Sequence, residues 1–189
     1  MDALLDSIVN IPRDGWFLSA AAVVIVAPWL LRAPLRRYLD ARRIRRAIRS
    51  LGAKVASDVV IPDGLDGTVN IDYLVMTPAY LLVVLVRRYP GAIFGAEKID
   101  QWAQVMRKGS YKFANPLTEL QDIVAVVRNQ LPSVPVKGAV LFDQDSVFPK
   151  GKPDGVLHLP DIDAETKHTP LSDVPDELQR AWSTLCPGQ

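Results

Sequence analysis

The chain predicts a mixed α/β domain, a sheet of about five or six strands with helices packed on it, preceded by one transmembrane helix. Three observations carry that prediction. Seventeen uncharged residues, Gly15 to Leu31, end abruptly on a block of Arg. From residue 53 onward, short β-branched runs alternate with Pro-, Gly- and Asp-rich turns. Further on, Leu117, Leu120, Val124, Val127 and Leu131 recur at helical spacing.

The composition narrows the class. With 189 residues, 49% of them apolar, and 22 basic against 21 acidic side chains, there is room for one domain with an ordinary core. No repeat of solenoid length is visible. One Cys and two His exclude an internal disulfide and a four-ligand structural zinc site within one chain. The net charge of +1 is a sum over unlike parts. Residues 1–31 carry −2; residues 32–49 carry eight Arg against Asp40, a net of +7; residues 50–189 carry −4.

Residues 15–31 would span about 25 Å as a helix, the short end of what crosses a bilayer. Trp16 and Trp29 stand near its two ends, at the level of the headgroups. Acids before it and Arg after it place the N-terminus outside and the remainder in the cytoplasm by the positive-inside bias. Two other readings of the run stand beside the anchor. A cleaved signal peptide wants a basic leader, which is missing, and a buried core helix fits the marginal length.

The following segment sets Ile44, Ala47, Ile48 and Leu51 on one apolar stripe. Arg36, Arg37, Arg42, Arg43, Arg45, Arg46 and Arg49 occupy the remainder. Beside a membrane these would contact anionic lipid headgroups; the same charges would also neutralise phosphates of DNA or RNA.

Strands are expected at Val55 to Ile61 and Thr68 to Thr77, separated by the turn Pro62 to Gly67. Leu81 to Arg87 reads as a strand covered on both faces, antiparallel to its predecessor through the turn Thr77 to Tyr80. Ala92 to Phe94 is a short strand, and Ile99 to Arg107 is a short helical candidate around Trp102. Asn115-Pro116 is a helix cap followed by Pro at the first helical position. Val136 to Phe142 and Val156 to Leu159 complete the strands. A last helix from Asp173 to Asp176 onward buries Leu178, Trp182 and Leu185.

The run NIDYLVMTPAYLLVVLVRRYPGAIFG from Asn70 to Gly95, then Trp102, KFANPLTELQ from Lys112 to Gln121, and a late Val-Leu-Phe strand followed by Phe-Pro together resemble the nuclease-related domain family. The resemblance spans about residues 38 to 160 and rests on the order and spacing of the marks. It implies a restriction-endonuclease-like core in which an Asp on one strand and an acid-x-Lys on the next hold a divalent metal, Mg²⁺, and position the attacking water. The same resemblance fits an N-terminal membrane segment. Together with the anchor and Arg-rich helix read from charge and hydropathy, it gives a chain organised as a short extracytoplasmic terminus (1–14), an anchor (15–31), an Arg-rich juxtamembrane helix (32–51) and a nuclease-related domain (52–189).

Asp72 stands at the place of the first Asp, and the acid-x-Lys place falls on Leu85-Val86-Arg87. Leu85 cannot ligate a metal, and Arg87 keeps the charge as a planar, permanently protonated fork. The resemblance also puts Gln121 near the site. The departure at Leu85 and Arg87 implies a catalytically impaired domain, with Asp72, Arg87 and Gln121 as a vestigial or weak site. No cofactor is expected, and Mg²⁺ only if the site is active. An Asp72–Arg87 pair across adjacent strands is the structural substitute this pattern suggests. Asp63, Asp66 and Glu97 are other acids that could reach the site, although Asp in such a turn commonly serves the backbone.

Trp102 and Tyr111 read as core or cleft-wall aromatics, and His158 and His168 lack the partners of a triad. Gly151-Lys152-Pro153 is a turn. Two functions are therefore expected. One is a single-pass inner-membrane protein whose cytoplasmic domain binds or processes nucleic acid. The other is a non-enzymatic membrane-tethered platform for a protein partner.

Overall fold

A computed structural model of the chain describes residues 32, 35, 36, 38–165 and 174–187. The expected membrane span at 15–31, Arg37 and His168 lie outside the described residues. Among the described residues, no helix is long and apolar enough to cross a membrane.

The chain divides into two units, Met1–Arg43 and Ile44–Gln189. In the first, residues 38–43 are helical, and the Arg42 guanidinium lies 4.8 Å from the centre of the Tyr38 ring. In the second, helical backbone over 44–50 (α1) buries Ile44, Ala47 and Ile48, three of the four stripe positions. Leu51 is partly buried against the same cluster.

The principal sheet has the strand order β1 (Lys54–Pro62), β2 (Thr68–Met76), β3 (Leu81–Arg87), β7 (Val136–Phe142), β9 (Val156–His158). β1, β2 and β3 pair antiparallel, and β3, β7 and β9 pair parallel. The β2–β3 turn is closed by Thr77, whose Oγ1 accepts the Tyr80 N–H at 3.0 Å and donates to the Tyr80 carbonyl at 2.7 Å. The β1–β2 turn is held by Asp63, whose Oδ1 accepts the Leu65 and Gly67 N–H groups at 2.7 and 2.9 Å.

β3 is apolar on both faces because both are covered. One face, with Val75, Leu82, Val84, Ala139 and Leu141, packs with α1 and with α3 (Leu159–Glu165) through Leu159 and Ile162. The other packs with α2 (Pro116–Gln130) and α4 (Asp176–Leu185). α4 buries Leu178, Trp182 and Leu185 as its spacing predicts.

Two expectations need correction. The strands form two sheets: β4 (Gly91–Phe94), β5 (Gln101–Met106), β6 (Gly109–Ala114) and β8 (Ser146–Val147) make a second one, ordered β6-β5-β4-β8. The stretch expected as a helix at 99–107 is strand β5, joined to β6 by a tight hairpin. Its side chains alternate with period two: Trp102 and Gln104 are buried while Gln101 and Val105 are exposed. Trp102 is fully buried, stacks on Phe142 and donates its indole N–H to the Ala96 carbonyl at 3.1 Å. Gly95 allows this, since a Cβ there would stand 2.1 Å from the Trp102 ring.

A candidate site plugged by an arginine

Asp72 lies where β1 and β2 break step. Core-facing positions run Ala56, Val59, Ile61 on β1 and Ile71, Leu74, Met76 on β2, so the alternation slips by one residue at Asp58 and at Asp72. Asp58 adopts a left-handed φ of 55°, which Asp tolerates better than most residues. The β2–β3 ladder ends at Tyr73↔Val84. Beyond it, the Asp72 carboxylate replaces the missing backbone acceptor: Oδ2 takes the Val86 N–H at 2.7 Å.

Arg87 follows at the end of β3. Its Nη1 donates to the Val86 carbonyl at 3.0 Å and lies 3.4 Å from Asp72 Oδ2; its Nη2 donates to Glu119 Oε2 at 2.5 Å. Glu119 stands in the first turn of α2, where a carboxylate is favoured by the helix dipole. Asn115 fixes that turn: its Oδ1 caps the Leu117 N–H at 2.9 Å and its Nδ2 donates to the Glu97 carbonyl at 3.0 Å. Three oxygens from β2, β3 and α2 thus meet on one guanidinium. Its side chain is 20% exposed, against 35% for Asp72 and 55% for Glu119. Arg87 and Glu119 border a cavity of about 580 Å³ together with Asn70, Tyr89 and Asp122, whereas Asp72 and Val86 line a separate one of about 380 Å³ with Asp58 and Arg88.

Asp72 and Arg87 therefore come together. Gln121 does not join them. It is exposed two positions beyond Glu119, where helical geometry turns it well away, and it lines a different cavity with Glu97, Arg128 and Asp154. Leu85 is 1% exposed, in the apolar cluster that α2 covers. Asp63 serves its own turn, and Glu97 is exposed. Glu119 is the participant that sequence reasoning missed. An acid in a first helical turn is visible in the sequence, but its meeting with Arg87, 32 residues away, is not.

Magnesium needs near-octahedral oxygens at about 2.0–2.1 Å. Here the acid of acid-x-Lys is a buried Leu, and the Asp72 oxygen is engaged by an N–H and a cation. Among the described residues, no three His, Cys, Asp or Glu side chains cluster to hold a metal. The residues present do not fit the metal that a restriction-endonuclease-like core would carry.

On the opposite face of the sheet, Arg45, Arg46 and Arg49 are exposed on α1; Arg36, Arg42 and Arg43 of the first unit are exposed as well. A second basic feature surrounds a cavity of about 430 Å³ between Gly95-Ala96 and Lys150-Gly151-Lys152, with Lys98 at its edge. Lys152 there is paired with Asp161 of α3. His158 Nδ1 lies 3.9 Å from the same Asp161, and its ring stands edge-on to Phe148.

The profile of the nuclease-related domain matches residues 36–143. An uncharacterized protein of Bacillus anthracis is 26% identical over 98 residues, 48% of this chain and 46% of that protein. The chain thus spans about half the length of the curated relative it matches. No solved structure matches it.

Proposed function

Because the chain belongs to the nuclease-related domain family, we propose that it is a membrane-tethered nuclease-related protein whose domain engages nucleic acid without efficiently cutting it. The observation that carries this reading is the Arg87 guanidinium between Asp72 and Glu119. A cation fixed among the oxygens that would ligate a metal opposes a second cation by simple repulsion. Leu85 supplies no oxygen to compensate.

The anchor is residues 15–31 of the sequence, with the N-terminus outside the inner membrane and the domain in the cytoplasm. Residues 50–189 carry −4, which opposes non-specific affinity for phosphate backbones unless the Arg-rich helix is part of the surface. The Arg residues of 32–49 supply the positive surface, toward anionic lipid or toward DNA or RNA. The domain's negative charge also favours the second reading, a tethered platform for a protein partner.

The test incubates the purified full-length protein with DNA and with RNA in Mg²⁺ or Mn²⁺. Turnover no greater than that of an Asp72→Ala control is expected. Metal-dependent cutting that disappears on Asp72→Ala sinks the impaired-enzyme reading. Salt-sensitive binding without cutting supports the nucleic-acid reading; absence of both turns the assignment to a protein platform.

A further inference from the structure

We propose that Arg87 is the resident cation of this site, a covalently attached surrogate for a divalent ion, and that its removal uncovers a divalent-cation site formed by Asp72, Glu119 and the Val86 carbonyl. The disagreement between the family's metal chemistry and the residues present is the starting point. The Arg side chain does not merely fill space where a Lys would stand. Its two terminal nitrogens address three oxygens from three elements, at 2.5, 3.0 and 3.4 Å.

These are hard oxygen donors, two carboxylates and one carbonyl, of the kind divalent cations select. The Val86 peptide is held from both sides: its N–H donates to Asp72 and its carbonyl accepts from Arg87. Both carboxylates need a counter-charge, and a single cation between them serves both. Arg87 meets that need permanently and cannot be deprotonated, so the junction of β2, β3 and α2 forms without metal. Asp72 and Glu119 are open enough to water for solvent to complete the coordination of an ion. Mn²⁺ takes carboxylate, carbonyl and water oxygens and reports its own binding by electron paramagnetic resonance, which makes it the probe.

Wild-type, Arg87→Ala and Asp72→Asn/Arg87→Ala full-length proteins are melted in chelator and in millimolar Mn²⁺. Binding of Mn²⁺ is followed in parallel by its electron paramagnetic resonance signal. In chelator, Arg87→Ala is expected to melt lower than wild type by about 3–8 °C. Mn²⁺ restores most of that shift, while wild type responds little and the double variant not at all. The spectrum reports one added bound ion in Arg87→Ala over wild type, absent in the double variant.

An Arg87→Ala protein that gains no Mn²⁺-dependent shift, or that stays unfolded with Mn²⁺ present, overturns the proposal. So does a response that survives the loss of Asp72. The inference rests on the reading of Asp72 as the metal-site position, yet the two fail separately. Wild-type cleavage contradicts the impaired-enzyme reading, whereas the Mn²⁺ shift reports only what Arg87 replaces.

Discussion

Asp143, at the end of β7, is half-buried, and its Oδ1 stands 3.0 Å from the Ser146 hydroxyl. Burial pushes its pKa above the ordinary carboxylate value, and the Ser146 hydrogen bond opposes that; the Asp145 charge adds to the rise, while the Asp145 backbone hydrogen bond and the Arg88 charge reduce it. A carboxyl with a raised folded pKa binds its proton more tightly in the native state. Its contribution to stability is therefore greatest below the unfolded pKa, falls as pH rises through the folded pKa, and stays at the lower level at neutrality. Asp143→Asn keeps an oxygen for Ser146 and cannot ionise. Its Tm should exceed that of wild type at pH 7, with the difference vanishing near pH 3. Thermal melts across that range check this, and a variant that melts lower than wild type at pH 7 contradicts it. At the same scale, Asp72 and Arg87 were legible because a strand motif locates them. Glu119 was not, because a surface acid acquires its partner only when α2 docks.

α2 is the element that brings Glu119 to the site, and Gly138 on β7 sets how closely it approaches. A Cβ at Gly138 would stand 2.8 Å from Leu120 and Val124, the buried face of the helix. Gly138→Ala should destabilise the protein by about 1–3 kcal/mol, the usual cost of overpacking, measurable by urea unfolding. An unchanged midpoint would show that α2 does not press on this position. The start of α2 was readable from Asn115-Pro116, because a cap is a local signal. The stretch at 99–107 was misread because a few apolar residues around one Trp carry no decisive period. Its pairing with Gly109–Ala114 and with β4 settles the conformation.

For the whole molecule, charge and hydropathy are distributed along the chain: an uncharged run, then +7, then −4. Membranes from cells making the full-length protein should retain it after a wash in about 1 M salt, where the screening length is only about 3 Å. A chain lacking residues 1–31 should be released by the same wash, since Arg–lipid attraction is screened and apolar insertion is not. Immunoblots of pellet and wash decide this. Full-length protein in the wash removes the anchor from the account.

By itself, the sequence determined the α/β class, the positions of most strands along the chain, the two covered faces of β3, the capped start of α2 and the family. These depend on periodicity, turn chemistry and short motifs, all of them local. The tertiary structure decided the division into two sheets, the strand at Gln101–Met106, the outward turn of Gln121, and the meeting of Asp72, Arg87 and Glu119. Those depend on which distant surfaces pack together. A charged side chain on a strand end carries no mark of its partner, which is fixed by the approach of a helix many residues away, here through the space that Gly138 leaves open.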